Sequence, residues 1–264
     1  MTTELLTRLD AGVLTLTMNR PDKRNALSPD MMTALLDALR GAQSDAAVKV
    51  IVLTGAGDAF CAGGDVAAMA AGKLFAPSFE ASVDILRQKM EAPRLLHEIA
   101  KPTIARVRGA AAGAGLSLAL ACDLRIADES AQFVTAFAKV GASGDYGGSW
   151  FLARLVGEAK AKELYFTSPR VGAPQALALG IVNRVVAAAE LDAEVSSLAA
   201  QLAAGPSVAL GYIKRNFNAV SEGLSLPLLL DLEAEHMVRS LQTADHREAT
   251  QAFVEKRAPR FSGQ

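Results

Sequence analysis

The chain has 264 residues, 51% of them apolar but only 5% aromatic, and a formal net charge of −1 at pH 7. That length allows one large domain, or a domain with an appendage, around a core built from Ala, Leu and Val. The near-neutral balance gives no field for a polyanion and argues against nucleic acid as the main partner. The opening "MTTELLTRLDAG" lacks a basic region followed by a long apolar run, so no secretory signal is read. The most apolar uncharged run, residues 109–122, falls short of the ~20 residues of a membrane span. A soluble, cytoplasmic protein is expected. Cys61 and Cys122 sit in apolar settings without metal-ligand spacing and read as reduced, buried thiols.

In chain order, "GVLTLTMNRP" alternates and carries β-branched residues, which predicts a strand ending at Pro21. "SPDMMTALLDALRGA" predicts a helix with Ser28 as N-cap, Pro29 at the first helical position and Gly41 after its end. "VKVIVLTG" reads as a buried strand stopped by the loop "GAGDAFCAGGD". Residues 78–100 show helical periodicity with a break near Pro93. "KPTIARVRG" predicts a third strand, followed by a glycine-rich turn and a buried helix, and "DLRIAD" a fourth strand. From "GEAKAKELYFTS" onward the chain reads as helical, with one strand at "IVNRVV" and helix breaks at Gly205-Pro206 and near Pro227. Strands alternating with helices, and glycine loops after two of the strands, predict an α/β layer architecture with sites at the strand ends.

Two loops, "CAGGD" at 61–65 and "GAAAGAG" at 109–115, follow strands and precede helices. Their small residues let backbone N–H groups approach a ligand, either to cradle phosphate or to polarise a carbonyl as an oxyanion hole. A dinucleotide fold is excluded by spacing: "GAGLSL" has two glycines and no third, and no acidic residue follows ~20 residues on. A Walker loop is excluded because no Gly-Lys-Ser/Thr occurs. "GLSLA" at 115–119 differs from a nucleophile elbow only in its last residue. A triad would then need a late histidine, and His236 and His246 read as solvated positions of a polar helix. Ser117 is therefore read as a small residue lining or supporting the site, and His97 as part of an amphipathic helix face. In "GASGDYGGSW", Asp145 has two readings: a turn residue bonding its own backbone, or a carboxylate held between the apolar stretches on either side.

Taken together and in order, "TLTMNRPDKRNALS", "VIVLTGAGDAFCAGGDV", "KPTIARVRGAAAGAGLSLALACDLRIA" and "AQFVTAFAKVG" with "GGSWFLARLVG" resemble the crotonase, or enoyl-CoA hydratase/isomerase, superfamily across essentially the whole chain. The likeness is nearest to its phenylacetate-pathway branch. The resemblance implies a spiral of ββα units over 1–195 and a C-terminal helical oligomerisation region over 196–264, giving a homotrimer or homohexamer. It also implies an acyl-CoA thioester as substrate. No metal or redox cofactor is implied, because coenzyme A enters as part of the substrate.

Ser117 and Phe137 occupy the positions at which hydratases of that family carry two glutamates, and Asp145 the position of the isomerases' single carboxylate. Relatives usually show Gly-Leu-Ile/Val-Pro-Asp where this chain has "GASGD". By resemblance, the Gly64 and Ala114 N–H groups form the oxyanion hole. Backbone around Ala26, Ala62, Gly63, Asp65 and Val66 meets the coenzyme A portion, with Lys23 and Arg24 near its phosphates. Phe137 and Trp150 are expected to supply an apolar surrounding for Asp145. Lys256 and Phe261 are expected to reach a neighbouring subunit's ligand, and segment 66–90 to shape the acyl pocket. The function implied is an acyl-CoA isomerase acting on a 3-enoyl or ring-epoxide thioester. The alternatives are a hydratase or thioester hydrolase, catalysis with Asp145 as nucleophile, and a non-catalytic acyl-CoA or protein binder.

Overall fold

The structure, a computed structural model, describes residues 3–65, 70 and 77–264. It opens on a hairpin of β1 (Leu5–Asp10) and β2 (Val13–Met18). The turn residues Ala11 and Gly12 both take positive φ, 46° and 83°, as tight hairpins favour. β3 (Val50–Gly55), β4 (Thr103–Val107), β6 (Leu124–Asp128) and β9 (Arg184–Val186) then add in parallel, in the order β1-β2-β3-β4-β6-β9. A second sheet holds β5 (Ala110–Ala112), β7 (Gln132–Val134) and β8 (Val171–Gly172), in the order β5-β7-β8.

Helices cover both faces of the larger sheet, as a parallel sheet with a continuous apolar strand requires; all of β3 is buried. On one side pack α1 (Pro29–Ser44), α3 (Glu91–Glu98) and α4 (Ala114–Ala121), contributing Met31, Leu35, Leu39, Leu96 and Leu118 to the main core. On the other, Leu191, Val195 and Ala199 of α8 (Leu191–Ala203) meet Val50, Val52, Ile104 and Ile126. The division expected at residue 195 therefore falls inside a helix that belongs to the sheet. The separate helical region starts with α9 (Ser207–Ser221) and continues through α10 (Leu226–Leu241) and α11 (Ala244–Glu255). Between the two parts run α5 (Gly148–Val156), α6 (Glu158–Thr167) and α7 (Ala173–Ala178).

The Ser28 hydroxyl caps α1 by accepting the Met31 N–H at 3.1 Å, as its spacing predicts. Gly41 lies inside α1 rather than beyond it. The helical stretch at 78–100 breaks at Met90, between α2 (Phe79–Lys89) and α3. Pro93 instead sits in the first turn of α3, where a missing N–H removes no intrahelical bond. His236 is buried rather than solvated; its ring stacks on Tyr212 at 4.4 Å and bonds Asn216. Both cysteines are free and buried, and burial pushes each thiol up to about 12. Among the described residues, no helix is long and apolar enough to cross a membrane.

Candidate active site

The turn after β3 is held from below by Asn25, which is fully buried. Its amide donates to the Ala56 and Ala59 carbonyls at 2.9 and 2.7 Å, and its oxygen accepts the Arg20 N–H at 2.9 Å. Segment 61–64 is then threaded between two neighbours. Ala62 N–H donates to Arg24 O at 2.9 Å, and Leu27 N–H donates to Gly63 O at 2.8 Å. On the far side, Cys61 N–H reaches Ala110 O and Ala112 N–H reaches Cys61 O, each at 2.9 Å.

This threading brings two amides together. Gly63 has φ +91°, and a Cβ there would lie 2.7 Å from Ala112 O and 3.5 Å from Ala114 N. The 61–64 turn thus passes in contact with the start of α4. Among the described residues, neither the Gly64 nor the Ala114 N–H donates to a protein acceptor. Ala114 is the first residue of a wholly buried helix, so the helix dipole adds positive potential at its amide. Two adjacent unpaired donors of this kind suit an oxygen that gains negative charge.

Asp145 approaches the same turn from the loop before α5. Ser117 ties the two together: its Oγ lies 3.3 Å from Gly113 O and 3.2 Å from Asp145 O. The carboxylate oxygen Oδ1 of Asp145 is buried and has no hydrogen-bond partner. Burial pushes the carboxyl up to about 6, because desolvation penalises the charged form. Phe137 fills the space between the turns. Its ring would stand 3.8 Å from a Cβ on Gly113 and 3.7 Å from one on Gly144, and it stacks on Tyr165 with centroids 5.9 Å apart. Trp150 faces elsewhere: it packs on His97 and Phe151, with the Arg154 guanidinium 3.6 Å over its ring. Of the two aromatic residues expected around Asp145, the structure puts Phe137 in the site and turns Trp150 toward α3.

The remaining expected residues fall around the 20–27 turn. Lys23 and Arg24 are exposed. Arg24 lines a polar cleft of about 480 Å³ together with Pro21, Asp22, Gly57, Asp58 and Ala59. Ala26 and Gly63 are buried and Ala62 half-buried. Asp65 pairs with Arg20 at 3.4 Å, and the same guanidinium donates to Ala26 O at 2.7 Å and pairs with Glu4 at 3.2 Å. Val66 lies outside the described residues, as do the rest of 66–69 and all of 71–76 in the 66–90 segment expected to shape the acyl pocket. Lys256 caps the C-terminus of α11, and Phe261 follows it half-buried. Sequence reasoning missed Arg20, Asn25 and Tyr165. The first two lie at either end of "RPDKRN", where the only signal was an asparagine placed between a run of charged residues and the apolar Ala26-Leu27; its burial comes from tertiary packing. For Tyr165 there was none.

Compared with known proteins, the family model described as enoyl-CoA hydratase/isomerase matches residues 8–264. The chain is 37% identical over 259 residues to the 1,2-epoxyphenylacetyl-CoA isomerase of Escherichia coli, covering 98% of each chain. It superposes on a crystal structure of an enoyl-CoA hydratase from Polaromonas with a TM-score of 0.89 and 38% identity, over 98% of this chain and 99% of that one. An enoyl-CoA hydratase from Mycobacterium smegmatis gives a TM-score of 0.90 at 33% identity, over 98% and 99%.

Proposed function

The chain belongs to the enoyl-CoA hydratase/isomerase family, and from that membership we propose that it isomerises an enoyl-CoA thioester with Asp145 as the single proton carrier. The carrying observation is the Asp145 carboxyl, unpartnered at Oδ1 and lifted to about 6 by burial. A carboxylate at its ordinary ~3.9 is a feeble base; one near neutrality is matched to the task.

The reaction moves a double bond from β,γ to α,β of the thioester. Asp145 takes the C2 proton, and the electron pair released passes into the thioester as an enolate conjugated with the C3–C4 double bond. The enolate oxygen accepts from the Gly64 and Ala114 amides, each worth ~3 kcal/mol of barrier in such a role. Asp145 then returns the proton to C4 and the carbonyl re-forms. Ser117 and Phe137, standing where the resemblance puts the hydratases' glutamates, offer a hydroxyl and a phenyl ring. Neither replaces the carboxylate pair for adding water.

The coenzyme A portion is assigned to backbone around Ala26, Ala62, Gly63 and Asp65, with the Lys23 and Arg24 cations for its phosphates. The outer apolar faces of the C-terminal helices, with Phe217 70% and Phe253 85% exposed, are assigned to assembly as a homotrimer or homohexamer. A second reading, hydration with Asp145 activating water, is favoured by the hydratase names of the Polaromonas and Mycobacterium structures.

One panel separates the readings: a straight-chain 3-enoyl-CoA, crotonyl-CoA, and a ring-epoxide thioester like that in the E. coli relative's name. Isomerisation should exceed hydration of crotonyl-CoA, with no release of free thiol. Faster hydration replaces the proposal with the second reading.

A further inference from the structure

The loop that carries Asp145 is rich in glycine, yet on both sides of that residue it lies against one side chain from α6. At Gly144, φ +110°, a Cβ would stand 3.0 Å from Tyr165 Cε1, so the loop backbone lies on the edge of that ring. At Gly148, a Cβ would stand 2.4 Å from the Tyr165 hydroxyl and 2.3 Å from Ser117 Oγ, so the end of the loop is seated on two side-chain oxygens. The Tyr165 hydroxyl and Ser117 Oγ therefore stand side by side against the same point of the backbone. Ser117 has one proton and faces two carbonyls, Gly113 O and Asp145 O. A phenol in that place can offer its own proton to Ser117 Oγ, and the serine's proton then serves the carbonyls, one before the Ala114 amide and one on Asp145. The other face of the contact is fixed by the Phe137 ring, parallel to Tyr165 within 11°.

We propose that Tyr165, acting through Ser117, is the positioning residue that fixes Asp145 beside the Gly64 and Ala114 amides. This gives position 117 a supporting role in place of an acid/base one. The proposal rests on Asp145 as the proton carrier. The titratable groups whose properties respond to the Asp145 charge are Tyr165 and its chain neighbour Tyr146; both are neutral phenols near pH 7, so the loop is held by hydrogen bonds and packing rather than by an ion pair.

The test compares wild type, Tyr165→Phe, Ser117→Ala, the double variant and Asp145→Asn in isomerisation of a 3-enoyl-CoA. Tyr165→Phe keeps the stacked ring and removes only the hydroxyl. It should lower kcat about tenfold with KM within twofold, since the coenzyme contacts are untouched. The acid limb of its rate profile should move to lower pH as the freed carboxylate gains water. Ser117→Ala should do the same, and the double variant should lose no more than the worse single one, because the two hydroxyls act as one chain. A Tyr165→Phe enzyme with wild-type kcat and limb overturns the proposal. So does a loss of kcat with an unmoved limb, the mark of a merely structural role. If Asp145→Asn retains activity, the base assignment itself fails, a different outcome from wild-type behaviour of Tyr165→Phe alone.

Discussion

Replacing Asp145 by Asn should make the protein more stable above pH 6, because the native fold holds this carboxylate at a cost. Its carboxyl is raised from 3.8 to about 6 by burial alone. In the unfolded chain the group ionises near its ordinary value, so between about pH 4 and 6 the native state binds more protons than the unfolded one. Stability therefore falls as pH rises through that window and stays low above it. At 1.36 kcal/mol per pH unit of displacement the full loss is at most about 3 kcal/mol, and about 2.5 kcal/mol of it develops between pH 4 and pH 8. The Asn variant keeps a buried amide with its own desolvation cost, but that cost does not depend on pH. Urea unfolding of both proteins at pH 4 and pH 8 isolates the term: the stability difference, variant minus wild type, should grow by that amount at the higher pH. An unchanged difference would mean that the carboxylate is solvated in the native protein, and the burial argument would be wrong.

Three further outcomes follow from the same geometry. The rate of isomerisation at low substrate should rise through a single limb near pH 6 and level off above it, as a base raised by burial to about 6 requires; a limb near 4 would remove the desolvated base. Gly63→Ala would put a methyl group 2.7 Å from Ala112 O, beside Ala114 N, and so push apart the turns that carry the two free amides. A loss of about 10²–10³ in kcat is expected, checked against crystal contacts or amide exchange to show that the rest of the fold persists. The double variant Lys23→Ala, Arg24→Ala should raise KM for the thioester with kcat within twofold; equal loss in kcat would place these cations at the reacting centre instead.

What the sequence made legible is what local physics decides. The Ser28 cap, the wholly buried β3 and the helix breaks at Gly205-Pro206 and just before Pro227 each follow from residues within one turn of the feature they set. Strands of two or three residues such as β5, β7 and β8 carry no periodicity of their own; they exist because Cys61, Gly113 and distant partners complete their hydrogen bonds. Strand β1 escaped notice for another reason: "LLTRLD" leaves five of its six residues exposed, so its alternation carries little apolar contrast. The candidate site divides the same way. Glycine loops and a carboxylate in apolar surroundings were visible, and so was the absence of acids at 117 and 137. Which aromatic faces Asp145 was not, since Phe137 and Trp150 lie at similar chain distance and only tertiary packing sends one inward. Tyr165, twenty positions beyond Asp145, meets it only because α5 and α6 fold back against each other.

The most direct measurement is turnover of a 3-enoyl-CoA by Asp145→Asn, a substitution that preserves shape and removes the basic oxygen. With the carboxylate as proton carrier between C2 and C4, the rate should fall by at least about 10³, toward the upper range of what a positioned acid/base group supplies, while the thioester still binds. Isomerisation surviving within about tenfold of wild type would show that another group moves the proton.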